Sequence, residues 1–212
     1  MKSKLLFIII TIFSFQVTTA QNAKDILDKV SKAYNDAGGL ILSFTLNIED
    51  TNDKTTYSHD GKAYIRGNKF KIDIPDGITW FDGKTQWVYM TGSDEVNVSN
   101  PTGEELVSIS PVALLNIYKT GFKLNYKGEK TIKGKNVYIV EMIPEKKNSD
   151  VTKFILNIDK TTLLFTQVTL NGKDKVNNHL IINSSQKGIS LPDNTFVFNK
   201  KEYPDLEINN LR

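Results

Sequence analysis

Few residues of this chain have the type and spacing that chemistry requires. The two histidines, His59 and His179, lie far apart in the sequence and belong to no metal-binding or nucleophile motif. We interpret both as strand or surface residues, and we expect no metal site and no cofactor. The sequence leaves open a glycoside-hydrolysing site made of two carboxylates, because such pairs meet in space and leave no sequence signature.

Residues 83–85 read Gly-Lys-Thr, which is how a phosphate-binding loop ends. Trp80 and Phe81 come just before this run, where such a loop needs flexible backbone amides. We therefore interpret the motif as a hairpin turn between two strands.

Arginine usage is the other unusual feature. Only two of the 27 basic residues are arginines, Arg66 and Arg212, and lysine supplies the rest. An arginine within a strand of such a chain favours a role that needs several hydrogen-bond donors. A plain surface position on the strand is the alternative for Arg66.

The elements that must position these residues are mainly β. Apolar residues at steps of three and four predict one amphipathic helix over residues 23–37, ended by two glycines. From Leu40 to Ile48 the apolar period changes to two, which predicts a half-buried strand. A short apolar helix is predicted at 112–118, after the helix-starting pair Ser110-Pro111.

About eleven strands are predicted in all. The other ten lie at residues 62–66, 69–74, 85–90, 95–98, 122–127, 137–143, 152–158, 163–170, 179–182 and 196–198, with turns at 82–83, 127–128, 133–134 and 171–172. The connections are too short for crossover helices, so we expect an antiparallel sheet.

Some of these strands are apolar on both faces. In the strand at 85–90, Trp87 and Tyr89 point one way while Val88 and Met90 point the other. A strand of this kind needs a cover on each side or a ligand cavity on one side. Plain core beneath the helices is the simpler of the two interpretations.

The first twenty residues have the three parts of a secretory signal peptide. Lys2 and Lys4 precede an apolar run, and small residues end at Ala20, so we expect cleavage there and one domain over 21–212. An uncleaved anchor is the alternative, although the run is short for a bilayer. Cleavage removes two lysines and no acid, which lowers the net charge from +3 to +1 and disfavours nucleic-acid binding. The chain has no cysteine, which excludes a lipid attachment site and disulfides.

The order of several motifs resembles the periplasmic lipoprotein carrier family LolA. The resemblance rests on the runs at 61–70, 78–89, 95–96, 110–115 and 153–159, with the closing Phe-Val-Phe at 196–198. It implies an incomplete antiparallel β-barrel closed by helices. It further implies a monomeric, non-enzymatic periplasmic carrier that takes acylated lipoproteins from an inner-membrane lipoprotein-releasing transporter and delivers them to an outer-membrane acceptor.

The apolar strand faces and this resemblance together predict the site. A functional arginine of the family holds the helical lid from the strand that 62–66 resembles, so Arg66 is the predicted lid latch. Its predicted partners are unpaired carbonyls near the end of the 111–118 helix or in the loop that flanks it. The predicted acyl-chain lining is Phe44, Leu46, Phe70, Ile72, Trp87, Tyr89, Tyr138 and Val140, and the predicted lid residues are Leu114, Leu115 and Tyr118.

Two other classes of function stay open from the sequence. A periplasmic sensing or scaffold module of the same fold would have a packed interior and an exposed apolar patch for a protein partner. A hydrolase acting on lipids or glycans is the second alternative, because a cavity can host catalysis as well as transport.

Overall fold

A computed structural model describes residues 14–212 of the chain. Its helices are α1 (Ser14–Asp36), α2 (Gly103–Ile109) and α3 (Leu114–Ile117), with single 3-10 turns at Pro111–Ala113 and Asp193–Phe196. Residues 1–13 of the predicted signal peptide lie outside the described part. The predicted cleavage point after Ala20 falls within α1.

Twelve strands form a single sheet. They are β1 (Leu40–Asp50), β2 (Thr55–Arg66), β3 (Lys69–Ile74), β4 (Gly77–Phe81), β5 (Gln86–Met90), β6 (Glu95–Ser99), β7 (Phe122–Ile132), β8 (Lys135–Pro144), β9 (Val151–Asp159), β10 (Phe165–Gly172), β11 (Val176–Lys187) and β12 (Glu207–Asn210). Their order across the sheet is β12-β6-β5-β4-β3-β2-β1-β11-β10-β9-β8-β7. Every neighbouring pair is antiparallel except β12 with β6. The sheet stays open between β12 and β7, which confirms the predicted mainly β, incomplete-barrel fold.

Three details of the predicted elements were wrong. The sequence pattern missed β4 and β12. No strand forms at 196–198, where Phe196 ends the 3-10 turn Asp193–Phe196 and the next two residues lie outside any helix or strand. Phe196 is fully buried and lies beneath the Arg66 guanidinium, whereas Phe198 is nearly fully buried and packs against Trp80. The apolar alternation of the sequence predicted a strand here because it does not show that the two rings pack in different places. The turn predicted at 127–128 is a bulge within β7, where Gly128 adopts a φ of 99°.

The inner face of the sheet is the one that α1 covers. The apolar stripe of this helix, including Leu27, Val30 and Tyr34, is buried in the main core, which confirms the predicted amphipathic helix. The Tyr34 ring lies 5.4 Å from the Phe165 ring, and the Phe165 backbone N–H donates to the Tyr34 hydroxyl oxygen over 3.2 Å. The helix thus fills the part of the inner face near β7 and β10.

The outer face of the sheet is covered at β4 to β6 by the C-terminal segment, residues 188–212. Trp80 and Val96 are buried there against Phe198 and Leu206, and the Tyr203 ring stacks on the Phe198 ring at 5.6 Å. This cover explains why β5 is apolar on both faces.

Candidate functional site

An apolar cavity of about 350 Å³ lies on the inner face of the sheet, beneath α2. Its walls come from seven strands and its roof from α2 and the turn that follows. The lining residues are Leu42, Phe44, Leu46, Ile48, Ala63, Ile65, Ile72, Ile74, Thr79, Phe154, Val168, Leu170, Asn178, Leu180 and Ile182 from the strands, and Val107, Ile109, Ser110 and Val112 from the roof.

Strand alternation places these side chains in the cavity. Along β1, every second residue from Leu42 to Ile48 faces inward, while the residues between them face the outer side. The antiparallel register with β11 sets Phe44 opposite Ile182 and Leu46 opposite Leu180, so the same face of the next strand continues the wall. A wall of this composition can hold apolar groups by excluding water, with few polar groups to fix their orientation.

The roof helix α2 is held by a capping box. The Thr102 backbone N–H donates to the Glu105 carboxylate over 2.6 Å, and the Glu105 N–H donates to the Thr102 hydroxyl oxygen over 3.3 Å. These bonds also hold the pKa of Glu105 below its ordinary value. The sequence analysis did not predict helix α2. The spacing of Thr102 and Glu105, which is that of a capping box, is the pattern that indicates it.

The three predicted lid residues lie beside the cavity and do not line it. Leu114, Leu115 and Tyr118 are buried in the main core, at 0%, 6% and 1% exposure. The Tyr118 hydroxyl donates to the Asp28 carboxylate of α1, and Lys24 donates to the same carboxylate over 2.6 Å. These two bonds hold the pKa of Asp28 below its ordinary value. Helix α3 is therefore tied to α1.

The predicted lining residues separate into three groups. Phe44, Leu46 and Ile72 line the cavity. Phe70 and Val140 are buried in the adjoining core, and Tyr138 packs against that core. Trp87 and Tyr89 are a correction, because they face the outer side and pack against the cluster beneath the C-terminal segment. The apolar period in β5 revealed two apolar faces but did not reveal which one is inner.

Arg66 is the second correction. Its guanidinium donates to the Leu191 carbonyl and to the Asp193 carboxylate, and it lies 5.4 Å from the centre of the Phe196 ring. Lys69 donates to the same Asp193 oxygen over 2.5 Å. The structure thus places the partners of Arg66 in the C-terminal segment, whereas the sequence predicted them in the 111–118 helix or its flanking loop.

A second cavity, of about 710 Å³, adjoins the first on the inner face. It lies between the helices and the ends of β7, β8 and β9. Its lining residues are Thr102, Gly103, Val107, Ile117, Thr120, Gly121, Phe122, Pro144, Lys146, Ser149, Val151 and Phe154.

Two further observations bear on the kind of site. Within residues 14–212, histidine, aspartate and glutamate side chains form no group of three that could hold a metal ion. In the part of the chain that the structure describes, no helix has the length and apolar character needed to cross a membrane.

An open twelve-stranded sheet with helices over an apolar inner cavity defines a class of cavity-containing β proteins. Comparison with known proteins gives the family. The chain belongs to the family described as outer membrane lipoprotein carrier protein LolA, whose model matches residues 13–172. This confirms the resemblance found in the sequence.

Individual relatives are distant. An uncharacterized protein of Methanocaldococcus jannaschii is 24% identical over 156 residues, which are 72% of this chain and 46% of that protein. The chain thus spans about half the length of that relative. An uncharacterized conserved protein of Thermus thermophilus has the same fold with a TM-score of 0.62 and 13% identity, over 90% of this chain and 99% of that one. A DUF1329 family protein of Desulfovibrio piger follows with a TM-score of 0.52 and 13% identity, over 84% and 97% of the two chains.

Proposed function

We propose that this protein is a periplasmic carrier that holds the acyl chains of lipoproteins in the inner-face cavity. The observation that carries the proposal is the 350 Å³ apolar cavity between the sheet and α2. Membership of a family described as lipoprotein carriers supports it. In this proposal the protein is exported, cleaved after Ala20, and works without enzymatic chemistry.

The energetics of acyl chains favour a carrier of this kind. Each methylene that leaves water gains about 0.8 kcal/mol, so a chain of about a dozen methylenes gains roughly 10 kcal/mol on entering an apolar cavity. An acylated lipoprotein therefore needs an enclosing protein to cross an aqueous compartment. The donor and the acceptor in this proposal are an inner-membrane lipoprotein-releasing transporter and an outer-membrane protein.

One arrangement of side chains has the residue types of a hydrolytic triad. Thr169 lies 3.1 Å from Nδ1 of His179, whose Nε2 lies 3.4 Å from the Glu49 carboxylate. In the sequence, Thr169 alternates with Val168 and Leu170, which line the cavity, so the Thr169 side chain faces the outer side. A ligand in the cavity is thus separated from these groups by the sheet, which favours the carrier over the hydrolase.

The test is binding of an apolar fluorescent fatty acid to the delipidated protein. We expect saturable binding that an acylated peptide competes and the same peptide without its chains does not. Leu46→Asp should weaken binding at least tenfold, because a charge in the cavity wall loses its hydration. Asn47→Asp adds the same charge on the outer face and is the matched control.

A second variant covers the case in which Leu46→Asp does not fold. Ala63 lines the cavity at 8% exposure, so Ala63→Leu fills the cavity with apolar volume and introduces no charge. It should also weaken binding. Wild-type affinity in both folded variants would show that the probe binds elsewhere and would overturn the proposal.

A further inference from the structure

The outer face of the sheet at β7, β8 and β9 carries a row of lysines. Along β7, Leu124 and Tyr126 pack against the main core, so the alternation of the strand directs Lys123 to the outer face. Lys127 and Lys130 lie on the same outer face, where they line a groove of about 400 Å³. Strand β7 thus presents three lysines on the side of the sheet away from the two inner-face cavities.

The charge of this region differs from that of the whole protein. The β7–β8 hairpin, residues 122–144, contains five lysines and two acidic residues, a net charge of +3, whereas residues 21–212 together carry only +1. Glu141 is the acidic residue in the lining of the groove, and it pairs with the middle lysine of the three over 3.8 Å. Among the residues that the structure describes, no carboxylate pairs with Lys123 or Lys130. The hairpin is therefore a local positive surface on a nearly neutral protein.

Isoleucine side chains lie between the lysines. Ile132, Ile139 and Ile155 line the same groove, and each is only half-buried. The outer face at β1 and β11 is polar instead, and the hydroxyl oxygens of Ser43 and Ser184 lie 2.7 Å apart there. The outer face of β7 to β9 thus combines positive charge with accessible apolar surface.

Protection of the sheet edge explains only part of this surface. Strand β7 is an edge strand, and lysine on an edge strand discourages pairing with other chains. Lys153, however, lies on β9, two strands in from that edge. Its neighbour Phe154 lines the first cavity, so Lys153 faces the outer side, opposite Asn171 of β10. The lysines thus extend beyond the positions that edge protection uses.

We propose that the outer face of β7 to β9 docks on the surface of a bilayer that contains anionic lipids. The surface has lysine and no arginine. Lysines act as point charges, which suits the diffuse field of an anionic bilayer, whereas recognition of a single carboxylate or phosphate favours the fork of arginine. The half-buried isoleucines add apolar contact with the interfacial region. The proposal goes beyond the carrier function and does not depend on it, because both cavities lie on the other face of the sheet.

The experiment is co-sedimentation of the purified protein with lipid vesicles. One set of vesicles has equal parts of phosphatidylcholine and phosphatidylglycerol, and the other has phosphatidylcholine alone. We expect binding to the anionic vesicles and not to the neutral ones. Raising the salt from about 0.1 M to about 1 M should release the protein, because the screening length falls from about 10 Å to about 3 Å.

The double variant Lys123→Gln, Lys130→Gln tests the surface itself. It removes two exposed and unpaired charges from β7. A lysine close to an anionic surface contributes about fivefold to affinity, so the variant should bind the anionic vesicles about 25-fold more weakly. The matched control is Lys84→Gln, Lys201→Gln, which removes the same charge from exposed lysines at the β4–β6 end of the sheet and should bind like the wild type.

Three results would overturn the proposal. Equal binding to neutral and anionic vesicles would show that the charge of the bilayer has no part in docking. Equal losses in the two double variants would show that net charge matters and the β7 surface does not. Binding to soluble polyglutamate through Lys123 and Lys130, with none to anionic vesicles, would assign the surface to an acidic protein instead. Each of these results leaves the carrier function intact, because fatty-acid binding by the cavity needs no membrane.

Discussion

The contact between Tyr118 and Asp28 is the hydrogen bond that ties α3 to α1, and its removal gives a quantitative prediction. Tyr118→Phe keeps the buried ring and removes only the hydroxyl that donates to the Asp28 carboxylate. Because α3 follows the cavity roof directly in the chain, we expect the variant to open the helical segment at residues 114–118 more often than the wild type does.

The size of the effect follows from the exposure of the pair. A hydrogen bond to a charged group contributes about 1.5 to 3 kcal/mol to stability. The Asp28 side chain is 36% exposed, and solvent screening favours the lower end of that range. A loss of about 1.4 kcal/mol corresponds to about a tenfold rise in the opening equilibrium.

Amide hydrogen exchange measures this opening directly. The Tyr118 backbone N–H donates to the Leu114 carbonyl over 2.9 Å, so it exchanges when this turn opens. We expect exchange at residues 114–118 to become about tenfold faster in Tyr118→Phe, while the amides of β10 stay unchanged.

Tyr126→Phe is the matched control. Its hydroxyl also donates to a carboxylate, that of Glu129 over 3.3 Å, but this pair lies within β7 and away from α3. Unchanged exchange at 114–118 in Tyr118→Phe would refute the reasoning. So would equal acceleration by Tyr126→Phe, because the effect would then reflect general destabilisation.

Three further predictions follow from the C-terminal segment and the export signal. Arg66→Leu removes the bonds to Leu191 and Asp193, so limited proteolysis should cut within residues 189–198, while Lys62→Leu leaves them protected. Lys69 and Arg66 lower the pKa of Asp193 below its ordinary value of 3.8. The stabilisation from the contact of Asp193 with these two side chains is therefore fully present above pH 3.8 and is lost as the pH falls through the lowered pKa. The tryptophan fluorescence of the outer-face cluster should titrate there in the wild type and not in Asp193→Asn. N-terminal sequencing of the exported protein should begin at Gln21, and retention of residues 1–20 would contradict the predicted cleavage.

Local patterns in the sequence predicted much of the fold because the interactions behind them are local. The helical period gave the apolar face of α1, and the period of two gave β1 and most of the other strands. The turn at Lys133 and Gly134 was predicted from its glycine, because a two-residue hairpin turn requires positive φ and glycine adopts it readily. In the structure both residues have positive φ. The bulge at Gly128 has the same glycine signal, so the sequence alone did not distinguish it from a turn.

The cavity was only partly predictable, for a physical reason that β5 illustrates. Alternation along a strand defines two faces, but the face that becomes buried depends on what packs against it. Trp87 and Tyr89 face the outer side because Phe198 and Tyr203, more than a hundred residues later, cover them there. Phe44, Leu46 and Ile72 lie in the cavity wall, on strands that have one clearly apolar face.

The sequence by itself determined the family, the mainly β class, the amphipathic α1 and the single strand-borne arginine. Only the tertiary structure decided that this arginine meets Leu191 and Asp193, in a segment 125 residues or more away along the chain. Only the tertiary structure, likewise, placed Val107 and Phe154 in the lining of both inner-face cavities. The physical reason is that such contacts depend on the curvature of the sheet and on the path of distant segments, which leave no period or spacing in the sequence.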